Sequence, residues 1–146
     1  MAASVTGLEI EAIAHATEDI EKVKEAILRV LPAEAREAVR LKVKELKGHH
    51  GNPIKLVRAR IRDRALASAV FRHVVSGLPE TDRLELVASL QRRLSGGSLY
   101  LRLDKQRAFL GQLRLCYTDP IWMKFSFSSS RVEDIRRALE EVGRGP

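Results

Sequence analysis

Residues 36–64 read REAVRLKVKELKGHHGNPIKLVRARIRDR. Two arms with alternating apolar and basic residues flank the segment Gly48-His49-His50-Gly51-Asn52-Pro53. Alternation with a period of two marks a strand with one buried face. Gly and Asn tolerate the turn conformations, and Pro stops strand pairing. In the first arm Val39, Leu41 and Val43 alternate with Arg40, Lys42 and Lys44; in the second, Val57, Ala59 and Ile61 alternate with Arg58 and Arg60. Such a hairpin places its positive charge on one face of a sheet. Ile54 and Leu56 fall on the other parity, so a bulge near Leu56–Val57 is expected to reconcile the two phases.

The same segment holds ten Lys/Arg against three acids, a net of +7, which equals the formal charge of the whole 146-residue chain. The first 35 residues carry −4 and residues 65–146 carry +4, so the charge is localised. Localised positive charge points to a polyanionic partner. The length predicts a single domain over residues 1–146, large enough to bury a core without disulfides or metal. Cys116 is the only cysteine, so no intrachain disulfide can form, which suits a reducing cytoplasm. Its place in the apolar run Leu113–Tyr117 reads as a packed thiol rather than a nucleophile. No run approaches the roughly 18 apolar residues of a membrane span, and no signal-peptide pattern opens the chain.

Working outward, Leu8, Ile10, Ala12 and Ala14 alternate with Glu9, Glu11, Ile13 and His15, a first strand. Thr17 is the expected N-cap of a helix with Ile20, Val23, Ile27, Val30 and Leu31 on one stripe, stopped by Pro32. After the hairpin, Leu66 to Val75 form a second helix closed by Gly77. A third opens at Pro79 and runs through Leu94 to the Ser95-Gly96-Gly97-Ser98 stop. Three strands follow by alternation: Leu99–Leu103, Phe109–Leu115 and Ile121–Phe127. Ser130 is expected to cap a last helix bearing Val132, Ile135, Leu139 and Val142. The order β-α-β-β-α-α-β-β-β-α predicts an α+β two-layer sandwich, a mostly antiparallel sheet with helices on one face.

The strand faces turned away from that core would then share one open surface. They carry Arg40, Lys42, Lys44, Arg58, Arg60, Arg102, Arg114 and Lys124, with the rings of Tyr100 and Trp122 among them. Cations neutralise phosphates and release counterions. Aromatic rings stack on unpaired bases, the combination used on open sheets for single-stranded RNA. His49, His50 and Asn52 in the hairpin turn are candidates for contacting phosphate or sugar. The competing reading is a solvated polar face, or one that docks an acidic protein partner with RNA contact incidental.

No catalytic constellation stands out. His49 and His50 are adjacent, but zinc needs three or four convergent ligands, and His15 and His73 are remote in sequence. Asp104 and Asp119 read as turn-formers rather than a magnesium pair. The Gly96-Gly97 pair lacks the Lys-Ser/Thr and the helix of a phosphate loop. No cofactor or metal is expected.

Four segments together carry a family resemblance: Ala14-His15-Ala16-Thr17-Glu18-Asp19, Gly48-His49-His50-Gly51-Asn52-Pro53-Ile54, Leu101-Arg102-Leu103-Asp104-Lys105-Gln106 with Ala108 and Gly111, and Asp119-Pro120-Ile121. In order and spacing they resemble the archaeal RNA-binding-domain family described as predicted exosome subunits, over about residues 8–128. The resemblance implies a fold similar to the large-subunit ribosomal protein that binds 5S rRNA. It also implies a cytoplasmic role in RNA processing or degradation, with RNA and exosome subunits as partners. It carries no catalytic residue onto this chain. The family's turn usually reads Gly-His-Tyr/Phe-Gly-Asn, and His50 stands here in the aromatic place. Stacking by that ring would be weaker, or pH-dependent through the imidazole.

Overall fold

The computed structural model describes residues 2–48 and 51–144. Strand β1 (Val5–Ala14) leads through α1 (Ile20–Arg29) and α2 (Ala33–Ala38) into the hairpin of β2 (Lys42–Lys47) and β3 (Pro53–Ile61). Helices α3 (Arg64–Gly77), α4 (Glu80–Ala88) and α5 (Leu90–Arg93) follow, then β4 (Leu94–Ser95), β5 (Ser98–Asp104), α6 (Lys105–Phe109), β6 (Pro120–Phe127) and α7 (Val132–Arg144). With the short helices α2, α5 and α6 set aside, the order of element types is the expected one, but β4 (Leu94–Ser95) takes the place of the strand expected at Phe109–Leu115. The six strands form one antiparallel sheet, β2-β3-β1-β6-β5-β4, so the N-terminal strand lies near its middle.

Alternation decides which side chains meet the helices. Leu8, Ile10 and Ala12 of β1, Val57 and Ala59 of β3, Leu99, Leu101 and Leu103 of β5, and Ile121, Met123 and Phe125 of β6 are all buried. Helix residues Ile27, Val70, Val74, Leu86, Leu90 and Ile135 are buried in the same core. Phe71 of α3 meets Phe125 and Phe127 edge-on, with centroids 5.2 and 5.4 Å apart, which fixes that helix over β6. A buried Leu such as Leu101 holds its place by about 2–5 kcal/mol relative to Ala.

Several local expectations are corrected. The first helix is capped by Asp19, whose side chain accepts from the Glu21 amide, and not by Thr17. Residues 33–38, between the Pro32 stop and the hairpin, form α2. The third helix stops at Ala88, where the Ser89 hydroxyl donates to the Glu85 carbonyl at 2.8 Å; α5 follows as a separate turn. At the start of α7, the Ser129 hydroxyl accepts from the Arg131 amide at 3.1 Å and donates to Asp134 at 2.8 Å, the part expected of Ser130.

The hairpin carries no bulge at Leu56–Val57. The β1–β3 register runs unbroken from Leu8↔Ile61 to Ala14↔Lys55. Ile54 and Leu56 therefore lie on the face away from the core, and the phase change records an apolar patch there. Every residue of β2 is exposed, including Val43, because this edge strand projects beyond the helices.

The largest correction falls on residues 109–115, which are not a strand. Asp104 caps α6 by accepting from the Arg107 amide at 2.8 Å. Gly111 ends it at φ +79°, a conformation glycine adopts freely. The apparent alternation of Phe109, Leu113 and Leu115 comes from packing against the core around these caps. One bridge, Leu103↔Leu115, ties the following loop to β5.

Candidate nucleic-acid interface

Directly opposed residues in a sheet share a face, so pairing lines up the outward side chains in rows. One row runs Lys42, Arg58, Glu11, Trp122, Arg102 across β2, β3, β1, β6 and β5. Beside it runs Arg60, Glu9, Lys124, Tyr100. On the other side stand Lys44, Leu56 and Ile13, and beyond them Leu46 and Ile54. Among the described residues no helix covers this face; Tyr100 is exposed and Trp122 half-buried. A shallow depression of about 400 Å³ lies over Glu11, Leu56, Trp122 and Tyr100.

The face is less one-sided in charge than Lys/Arg counting suggests. Arg58 reaches Glu11 at 2.8 Å and Arg60 reaches Glu9 at 3.1 Å, with Lys124 at 3.9 Å from the same Glu9 carboxylate. Exposed pairs of this kind are worth about 0–1 kcal/mol and leave their cations free to exchange partners. Lys42, Lys44 and Arg102 make no ion pair among the described residues. The Lys124 ammonium lies 6.0 Å from the Tyr100 ring centre, at the outer reach of a cation–π contact. Glu9 and Glu11 were missing from the expected surface. The alternation of β1 is the signal that would have found them, since it sets both opposite Leu8 and Ile10.

Arg40 is exposed in the approach to β2, outside the paired strand. Asn52 is exposed, and its carbonyl accepts from the Gly48 amide at 2.6 Å across the hairpin end. His49 and His50 lie outside the described residues. Arg114 is not on a strand of the face. It sits in the loop after α6 and pairs at 3.4 Å with Asp82 of α4, whose carboxylate also accepts from the Leu115 amide. Cys116 is in the same loop, half-buried, with its thiol directed at the Thr118 carbonyl. Burial, and then the Asp104 charge, push this thiol up, away from the reactive thiolate.

Three of the four resemblance segments converge at one end of the sheet. The buried Lys105 ammonium donates to the Ile13 carbonyl at 2.8 Å, to Glu18 at 2.9 Å, and pairs with Asp119 at 2.8 Å. His15 Nε2 meets the other Asp119 oxygen at 2.9 Å, and the His15 amide donates to Glu18 at 3.0 Å. Burial alone would raise the Asp119 carboxyl, but hydrogen bonds and charge from Lys105 and His15 hold it below its ordinary value. Asp119 sits at φ +44°, a turn conformation that Asp tolerates better than most residues. His15, Glu18 and Asp119 are close enough to share a cation. The ammonium of Lys105 already engages both carboxylates, so the cluster reads as a clamp joining the β1–α1 junction, α6 and the entry to β6. No helix among the described residues is long and apolar enough to cross a membrane.

Comparison with known proteins follows the same lines. The chain is 34% identical over 120 residues to the uncharacterized protein MJ0213 of Methanocaldococcus jannaschii, covering 80% of each. It is 34% identical over 110 residues to the RNA-binding protein PAB1135 of Pyrococcus abyssi, covering 74% of this chain and 71% of the relative. The crystal structure of AF2318 from Archaeglobus fulgidus, a DUF54 family protein, superposes with a TM-score of 0.80 at 29% identity, covering 95% of this chain and 99% of that one. SSO0741 of Sulfolobus solfataricus shares the fold, with a TM-score of 0.79 at 24% identity over 94% and 98% of the two chains. A family model described as RNA binding matches residues 7–127, and the chain belongs to that family.

Proposed function

We propose that this chain is a non-catalytic RNA-binding protein acting as a single domain over residues 1–146, and that RNA lies on the open face of its sheet. The observation that carries this is the pair of rows in which Lys42, Arg58, Arg60, Arg102 and Lys124 surround the rings of Trp122 and Tyr100. The ion pairs to Glu9 and Glu11 are exposed and exchange for phosphate at small cost. The named relative from P. abyssi and the family description support the same partner. The resemblance to predicted exosome subunits supports an accessory role in RNA processing or degradation in the cytoplasm.

Lys42→Ala/Lys44→Ala tests this reading. Each lost phosphate contact should lower the salt slope by about 0.7 for a single strand, with affinity falling about tenfold or more. Unchanged affinity and slope in a folded variant would contradict it.

One observation favours a second reading. Leu46, Ile54, Leu56 and Ile13 form an apolar corner beside the cations, which suits an acidic protein whose contact has an apolar centre. Binding of a protein partner that survives RNase treatment and is lost in Leu46→Ser would select it.

A further inference from the structure

Beyond the sheet face, a second group of cations and rings gathers at the edge where α5 and the loop after α6 flank β5. A cleft of about 190 Å³ is lined there by Ser89, Arg92, Arg93, Tyr100, Arg102 and Tyr117. Four of these residues, Ser89, Arg92, Arg93 and Tyr117, come from outside the sheet, so alternation along the strands could not bring them forward.

The cleft is built rather than accidental. Arg93 has a side chain only 10% exposed and is fixed from below. Its Nε donates to the Ser89 hydroxyl at 2.7 Å, and its Nη2 faces Glu85 at 3.6 Å and the Tyr117 hydroxyl at 3.4 Å. Ser89 is itself buried, and its hydroxyl hydrogen is spent on the Glu85 carbonyl. Tyr117 donates to the Glu85 carboxylate, so its ring is held beside the Arg93 guanidinium, 5.9 Å from ring centre to carbon. Arg92 and Arg102 stand at the mouth, exposed and without an ion pair among the described residues. Glu85 engages Arg93 alone of the three guanidiniums, which leaves the charge of Arg92 and Arg102 unmatched among the described residues.

Tyr100 connects this cleft to the open face, because the same ring lines both the cleft and the depression over Trp122. A strand leaving the face past Tyr100 enters the cleft directly. The volume is below the roughly 300–1,000 Å³ of sites that enclose drug-sized ligands, which suits one nucleotide unit and not a duplex end. Guanidiniums recognise phosphate through paired N–H donors, and a ring recognises the face of an unpaired base.

We propose that the cleft between α5, β5 and the loop after α6 is a subsite for one unpaired nucleotide of a single-stranded RNA, its phosphate held by Arg92 and Arg102 and its base against Tyr100. This rests on the reading of the sheet face as an RNA surface and adds strand selectivity to it. A paired base cannot reach the ring, so a duplex gains nothing from the cleft.

Arg92→Ala and Tyr100→Leu, both at exposed positions, test the subsite. The probes are a 12-nucleotide oligo(rU) and a 12-base-pair blunt RNA duplex, titrated at about 0.15 M salt. Each variant should weaken the single strand by about five- to twentyfold and the duplex by less than about twofold. Wild-type protein that binds neither probe overturns the RNA reading of the whole face. If wild type binds, then single-strand affinity unchanged in both variants, or equal losses on strand and duplex, overturns the subsite alone.

Discussion

Arg58 of β3 and Glu11 of β1 are direct cross-strand neighbours, and their side chains close a 2.8 Å ion pair in the middle of the open sheet face. The same arrangement recurs one row away between Arg60 and Glu9. The central strand thus supplies acids to a surface whose outer strands supply bases. In the absence of a polyanion the guanidiniums have partners; in its presence those partners compete with phosphate.

That competition makes a prediction opposite to the usual loss on mutation. Glu9→Gln/Glu11→Gln should tighten RNA binding about three- to tenfold at moderate salt and steepen its salt dependence, since two negative charges leave the face. Fluorescence anisotropy with a labelled single strand measures it. Weaker binding would mean that the carboxylates are needed to aim Arg58 and Arg60.

Lys105→Met should destabilise the protein by about 2–3 kcal/mol. The value is reduced from the 3–5 kcal/mol of a fully buried pair because Glu18 and Asp119 are partly exposed. Denaturant unfolding should show a lower midpoint with an unchanged slope. A midpoint equal to wild type would remove the clamp from the account.

The clamp also sets an acid limit. Asp119 is held below its ordinary carboxyl value in the folded protein, so its ionised form favours folding. That contribution is complete above the unfolded value of about 3.9 and is lost as pH falls through the lower folded value. Stability should therefore drop below about pH 4, and Asp119→Asn should show a shallower drop over that interval. Asn keeps the positive φ within reach, which isolates the charge effect. Identical acid profiles would contradict this assignment.

How much of this was open to reading from the chain follows from what local pattern encodes. The hairpin, the core-facing parity of β1, β5 and β6 and the last helix were legible because alternation and helical spacing report burial directly. Residues 109–115 misled because Phe109, Leu113 and Leu115 bury against the core without forming a strand. The decisive signals there were Asp104 as a cap and Gly111 as a stop. Pairing order was not legible, and with it the rows that set Glu9 beside Lys124 and Glu11 beside Trp122. The gathering of His15, Glu18, Lys105 and Asp119 spans more than a hundred residues and needed the folded chain, although all four belong to segments that carried the family resemblance.

Asp104→Ala tests the correction at α6. Loss of the cap to the Arg107 amide should cost about 1 kcal/mol and leave the five-residue helix frayed. Amide exchange should rise at Arg107 and Ala108 while β5 stays protected. Retained protection at these amides would show that packing alone holds the turn.

Trp122 is the only tryptophan of the chain, and it stands between Glu11 and Arg102 at the centre of the proposed RNA surface. Its fluorescence during titration with single-stranded RNA at about 0.15 M salt therefore reads the central claim directly. Saturable quenching that weakens with added salt, and weakens further in Lys42→Ala/Lys44→Ala, is the predicted result. Binding seen by anisotropy with Trp122 emission unchanged would put the RNA elsewhere on the protein and contradict the account.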